Sequence, residues 1–108
     1  MDITRAFAED GTRYEIDFDA CSYDKGFCQI DTPQDAAWFG VWTNPFERVI
    51  ASYAEGDITV QHAETDAEYR EALVRCLTFH PAKIDLGLSR RAEMRARFDS
   101  LGLASYCH

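Results

Sequence analysis

The sequence predicts an α+β fold, in which an antiparallel sheet of about four to six strands carries two C-terminal helices packed on one face. Three observations support this prediction. Alternating apolar and polar runs fill residues 1–64, the turns between these runs are short, and helical periodicity appears only in residues 65–108. No linker, repeat or low-complexity segment divides the 108 residues, so we expect residues 1–108 to form a single domain.

Two strands and a short helix are predicted first. Residues 3–8 and 13–19 form a hairpin around Asp10-Gly11, because a turn dipeptide separates runs of which the second alternates with period two. Residues 27–31, with the sequence FCQID, predict a third strand. Thr32 and Pro33 then mark the start of a short helix, since threonine caps a helix and proline fits its first turn.

A second hairpin follows a turn at Asn44-Pro45. Its arms are residues 47–54 and 58–63, which flank a turn that contains Gly56. In the second arm apolar residues alternate with Thr59 and Gln61, so one face of this arm is expected to lie in water.

The first of the two helices is predicted to begin with a capping box of Thr65 and Glu68. Its length is limited by Pro81, since proline disrupts a helix interior. The apolar stripe of this helix comprises Tyr69, Leu73, Cys76 and Leu77.

The second helix is predicted to begin at Ser89 and to end near Gly102, where a glycine can adopt the left-handed conformation of a helix C-terminus. Residues 82–88 are interpreted as the loop that leads to it. The less polar positions of this helix are Ala92, Met94, Phe98 and Leu101.

The net charge of −8 is unevenly distributed. Residues 1–66 hold 14 acids and 4 bases, a balance of −10, whereas residues 67–108 hold 5 acids and 7 bases, a balance of +2. This asymmetry predicts an acidic surface that repels nucleic acid and attracts basic partners. The chain lacks a basic N-terminal start and an apolar run of ~18 residues, so we expect a cytoplasmic protein with reduced cysteines and no membrane contact.

The acidic surface is predicted from the second strand, where Glu15, Asp17 and Asp19 occupy every second position. On the open face of an antiparallel sheet the three carboxylates would lie together in water. Residues on one face are ~6.6 Å apart along a strand, and neighbouring strands are ~4.8 Å apart. Duplex DNA carries one negative charge per ~1.7 Å of axis, so the row would be sparser but comparable in sign and scale. Three loop acids border it, namely Asp24, Asp31 and Asp35.

Cysteine and histidine residues are the candidates for metal binding or catalysis, yet they show neither Cys-x-x-Cys nor His-x-x-x-His spacing. A zinc site would require Cys21, Cys28 and Cys107 or His108 to meet through tertiary structure. Residues 17–26 resemble a calcium loop but lack its terminal glutamate. No nucleophile elbow or glycine-rich phosphate loop occurs. We therefore expect no enzyme, metal or cofactor, and keep a small enzyme or metal-dependent protein as an alternative.

An aromatic cluster is the first further candidate for recognition. Trp38, Phe39, Trp42 and Phe46 lie within nine positions. These rings can form the core beneath the sheet. An exposed Trp38 or Trp42 would instead be a rigid anchor of the kind that dominates interface energies.

An arginine-rich helix is the second further candidate. Arg90, Arg91, Arg95 and Arg97 are spread around residues 89–101 rather than aligned in one stripe. They fit a solvated helix surface, or a helix that contacts phosphates in a nucleic-acid-binding regulator, which we keep as a second alternative. The acidity of the whole chain opposes direct nucleic-acid binding.

In size, acidity and lack of a catalytic motif, the chain resembles the small inhibitors made by phages and other mobile elements, among them DNA-mimicking antirestriction and anti-CRISPR proteins. The resemblance implies a stoichiometric inhibitor that covers the basic surface by which a defence complex holds DNA. We therefore predict a non-enzymatic binding protein whose partner has a basic nucleic-acid-binding surface. Its predicted contact residues are Glu15, Asp17, Asp19, Asp24, Asp31, Asp35, Trp38 and Trp42.

Overall fold

The computed structural model describes residues 4–7, 13–16, 26–31, 39–54, 57–79 and 81–108. A two-stranded sheet pairs β1 (Thr4–Phe7) with β2 (Arg13–Ile16). The strands of the larger sheet are β3 (Cys28–Asp31), β4 (Phe39–Asn44), β5 (Val49–Ala54), β6 (Asp57–His62) and β7 (Lys83–Asp85). The helices are α1 (Asp66–Phe79), α2 (Arg91–Ser100) and a final 3-10 turn (Ala104–Tyr106).

The larger sheet has the strand order β6-β5-β4-β3-β7, and every neighbouring pair is antiparallel. The predicted α+β class is therefore confirmed, as are the two predicted hairpins and the strand at FCQID. The short helix predicted to start at Thr32 lies outside the described residues.

The prediction of a loop over residues 82–88 is wrong, because this segment contains β7. This strand pairs with β3, with Ile84 opposite Ile30, and Ile84 is fully buried. Three residues are too short to show the alternation that marks a strand in a sequence. The pairing partner lies more than fifty positions earlier, so no local signal reports it.

One face of the larger sheet packs against both helices. Tyr69, Leu73 and Leu77 of α1 and Met94 and Phe98 of α2 are buried against it. The sheet contributes Cys28, Ile30, Val41, Ile50 and Ile84 to the same core. Three of the four residues predicted for the apolar stripe of α1 are buried, and the fourth, Cys76, is partly exposed. Ala92, which was predicted among the less polar positions of α2, is exposed.

Thr59 and Gln61 of β6 are exposed, as predicted for this arm. The centre of the sheet face opposite the helices is buried, however, which corrects the expectation that this whole face lies open to water. Trp42, Ala51 and Val60 are opposite one another on neighbouring strands and share this face, and their exposed fractions are 2%, 0% and 6%. Strand β4 is buried at Val41, Trp42 and Thr43 in succession, which is typical of a strand covered on both sides.

Capping residues fix the ends of the helices. The Thr65 hydroxyl accepts a hydrogen bond from the Glu68 backbone N–H, as the predicted capping box requires, while the Glu68 carboxylate accepts from the N–H of Glu64. Gly102 has a φ of 74° and ends α2, because its N–H bonds to Asp99 and that of Leu103 bonds to Phe98. The expectation that Ser89 begins α2 is wrong, since the N-cap is Arg90 with a φ of 56°.

Arg48 also has a left-handed backbone, with a φ of 60°, at the end of the turn that precedes β5. Its Nε donates to Asp66 at 2.8 Å, so its side chain joins this turn to the start of α1. Left-handed backbone costs a non-glycine residue about 1–2 kcal/mol.

Two substitutions of Arg48 separate the ion pair from the backbone strain. Arg48→Ala and Arg48→Gly both lose the ion pair, but only glycine adopts this φ without strain. We therefore expect the glycine variant to be more stable than the alanine variant by about 1 kcal/mol in urea denaturation. Equal stability of the two variants would contradict a strained turn.

Candidate partner-binding surface

The structure describes two of the six acids predicted to contact a partner. Glu15 lies on β2, outside the larger sheet, and Arg5 is its cross-strand neighbour. A base therefore stands opposite the first acid of the predicted row. Asp31 is exposed at the end of β3, and its Oδ2 lies 3.8 Å from Nε2 of His108. The remaining four lie outside the described residues: Asp17, Asp19, Asp24 and Asp35.

The two tryptophans also differ in what the structure reports. Trp42 is 2% exposed, so of the two roles considered for it, core residue or exposed interface anchor, it has the first. Trp38 lies outside the described residues. Among the aromatic side chains of this stretch whose burial the structure describes, Phe46 is exposed, at 39%.

Acids and bases are nearly balanced among the described residues, which hold 11 acids and 10 bases.

The strongest ion pairing among the described residues is centred on Asp66, at the start of α1. Its Oδ1 accepts from Nη2 of Arg97 at 2.7 Å and from Nε of Arg48 at 2.8 Å. Arg97 additionally donates to the Pro45 carbonyl, so α1, α2 and the β4–β5 turn meet here. Hydrogen bonds from Arg97 and then Arg48 lower the pKa of the Asp66 carboxyl from 3.8 to about 2.

This lowered pKa predicts a pH dependence of stability. A carboxylate whose pKa is lower in the folded state stabilises the fold above its unfolded pKa, and the contribution is lost as the pH falls through the folded value. We expect the free energy of unfolding to decrease between about pH 4 and pH 2, and Asp66→Asn to flatten that decrease. Urea denaturation across this range measures it. An unchanged slope in the variant would contradict the assignment to Asp66.

Most other described arginines have acceptors within the fold. Arg75 pairs with Glu71 at 3.0 Å and Arg90 with Glu93 at 2.8 Å. Arg70 donates to the Leu101 carbonyl. Two further bonds run from Arg91 to the backbone oxygens of Gly87 and His108. Arg91 and Arg97 of α2 thus contact acceptors in the helical part of the chain and the β4–β5 turn.

The candidate nucleophiles of the described fold are buried or partly buried. Cys28, Cys76 and Cys107 are free thiols. Burial raises the pKa of all three, and for Cys28 the nearby Cys107 and Asp85 raise it further. A raised pKa keeps a thiol protonated and unreactive. Of the remaining candidates, Cys21 and His80 lie outside the described residues.

Neither a metal cluster nor a long apolar helix occurs in the described part of the chain. No group of three or more His, Cys, Asp or Glu side chains there could hold a metal ion. None of its helices is long and apolar enough to cross a bilayer.

Two concave features occur on the described surface. A cleft of about 260 Å³ lies between β5, β6 and α1, with Ile50 and Ala72 among its apolar lining and Arg48 and Arg75 among its charged lining. A shallower depression of about 550 Å³ lies at the start of α2, beside Leu88, whose exposed fraction is 89%. Sequence reasoning missed this leucine, because an apolar residue in a presumed loop gives no sign of its exposure.

Comparison with protein-family models, curated proteins and solved structures finds no match to this chain.

Proposed function

We propose that this protein is a non-enzymatic inhibitor whose acidic N-terminal part occupies a basic nucleic-acid-binding surface of a partner protein. In this proposal the carboxylates imitate the phosphates of a nucleic acid, as in the DNA-mimicking anti-defence proteins of phages and mobile elements. The predicted contact acids are Glu15, Asp17, Asp19, Asp24, Asp31 and Asp35. Trp42 is left out of this set, because a buried ring cannot anchor a partner.

The uneven distribution of charge along the sequence carries the proposal, because residues 1–66 have a balance of −10 whereas residues 67–108 have a balance of +2. The described arginines are numerous, but most have internal acceptors, such as Asp66 for Arg48 and Arg97. Residues 1–66 contain fourteen acids and only four bases, so most of these acids have no base in the same segment to pair with. Negative potential of this kind attracts a basic groove and speeds association at low salt.

The two alternatives receive less support. A small enzyme that uses cysteine would need a thiolate, and burial raises the pKa of each described thiol. A nucleic-acid-binding helix would have to overcome repulsion between phosphates and a chain of net charge −8, and one of its arginines, Arg97, is already paired with Asp66.

Recovery of the partner tests the proposal. The tagged protein is incubated with a lysate of the cells in which it acts, at low and at high salt, and duplex DNA is added as a competitor. We expect the low-salt complex to contain a nucleic-acid-binding protein and to dissociate on addition of either salt or DNA. A partner that duplex DNA does not displace would contradict phosphate imitation.

A further inference from the structure

A second surface, of opposite charge, lies at the start of α2. Leu88 is 89% exposed and borders the depression of about 550 Å³. Three guanidinium groups and one carboxylate line that depression, so it is locally basic on a protein of net charge −8. We call Leu88, Arg90, Arg91 and Arg95 the Leu88 surface.

Two of its guanidinium groups are held in position before any partner binds. Arg90 donates from Nε and Nη2 to Oε2 of Glu93, and it lies 5.0 Å from the centre of the Phe46 ring. Arg91 donates to the backbone oxygens of Gly87 and His108 at 3.0 and 2.6 Å. Because these side chains are already ordered, they lose less conformational entropy when a partner binds.

The chemistry of this surface favours a protein segment over nucleic acid. An exposed leucine gains most from contact with another apolar side chain, and guanidinium groups bind carboxylates through charge-assisted hydrogen bonds. Single-stranded nucleic acid is bound largely by stacking on aromatic rings, whereas one face of Phe46 is covered by Arg90. A long polyanion is also repelled more strongly by the net charge of −8 than a short acidic segment is.

We propose that the Leu88 surface binds an acidic segment of a partner protein in which an apolar side chain adjoins the carboxylates. The apolar side chain packs on Leu88, and the carboxylates contact Arg90, Arg91 and Arg95. This inference does not depend on the proposed function, because it uses residues of the opposite charge in the helical part of the chain.

Chemical-shift perturbation of the amide and methyl NMR signals tests the inference. The probe is a short peptide that alternates glutamate with leucine, and its matched control alternates glutamate with serine. We expect saturable shifts confined to the Leu88 surface, with affinity for the control peptide about tenfold weaker. Equal binding of both peptides, or no localised shift with either, would overturn the proposal. The proposal would also be overturned if duplex DNA, but neither peptide, shifted the signals of the Leu88 surface. The same holds if these signals shifted on dilution of the protein without peptide, because the surface would then bind a second copy of the chain.

Matched variants locate the contact. Leu88→Ser should lower the affinity for the glutamate–leucine peptide about tenfold, because it removes the apolar contact. Arg95→Gln should lower it about threefold, because it removes one exposed charge. Arg75→Gln removes another exposed arginine, which lies on α1 away from Leu88, and should leave the affinity unchanged. Both target side chains are exposed, so the variants should fold, which the same spectra check. If Arg75→Gln weakened peptide affinity as much as Arg95→Gln, the effect would come from the overall charge of the protein and not from a contact at the Leu88 surface.

Discussion

Replacing Phe98 with alanine is expected to lower the free energy of unfolding by about 3–5 kcal/mol, as for other large-to-small substitutions of fully buried aromatic residues. Phe98 is completely buried on α2, where it packs into the core shared by the sheet and α1. A small domain is stable by only about 5–15 kcal/mol, so this one change should remove much of the stability of the fold.

Urea denaturation followed by circular dichroism measures this loss. Ala96 is exposed on the same helix, and Ala96→Ser serves as the control, expected to change stability by less than about 0.5 kcal/mol. A loss below about 1 kcal/mol for Phe98→Ala would mean that α2 is not packed into the core.

The second large effect concerns a buried polar pair. The Thr43 hydroxyl donates to the Val49 carbonyl at 2.8 Å, and so it accepts its hydrogen bond from the Tyr69 hydroxyl. Both side chains are fully buried, and burial raises the pKa of Tyr69 well above its ordinary value. Thr43→Val would leave the Tyr69 hydroxyl without its partner, at an expected loss of about 1–3 kcal/mol.

A double-mutant cycle tests this pair. Tyr69→Phe removes the other partner, and we expect the double variant to lose about 1 kcal/mol less than the sum of the single variants, since no orphaned hydroxyl remains. Thr43→Ser keeps the hydroxyl and serves as the control. Strictly additive losses would show that the two hydroxyl groups do not interact.

Much of the fold follows from local sequence signals. The pattern Thr65-x-x-Glu68 specifies the start of α1, and a glycine at position 102 specifies the end of α2, because both are fixed by backbone hydrogen bonds within a few residues. The missed strand β7 depends on its pairing with β3, which is distant in the sequence. The left-handed N-cap at Arg90 was missed because Ser89 is the better capping residue by propensity.

The candidate site was harder to predict than the fold. Counting charges reveals the acidic part of the chain, but the register that sets Arg5 opposite Glu15 is a property of the folded hairpin. Likewise the sequence cannot assign Arg97 to Asp66, since their contact requires α1 and α2 to pack together. The burial of Trp42 depends on coverage of the second face of the sheet, which an alternating pattern does not report.

The most direct test of the acidic-surface proposal compares two charge-matched triple variants for affinity to the recovered partner. One combines Glu15→Gln, Asp17→Asn and Asp19→Asn; the other combines Glu64→Gln, Glu71→Gln and Asp99→Asn, three exposed acids of the described fold. We expect the first to weaken binding about tenfold and the second to stay within about twofold of the native protein. Equal weakening by both, or no weakening by the first, would contradict a specific acidic contact surface.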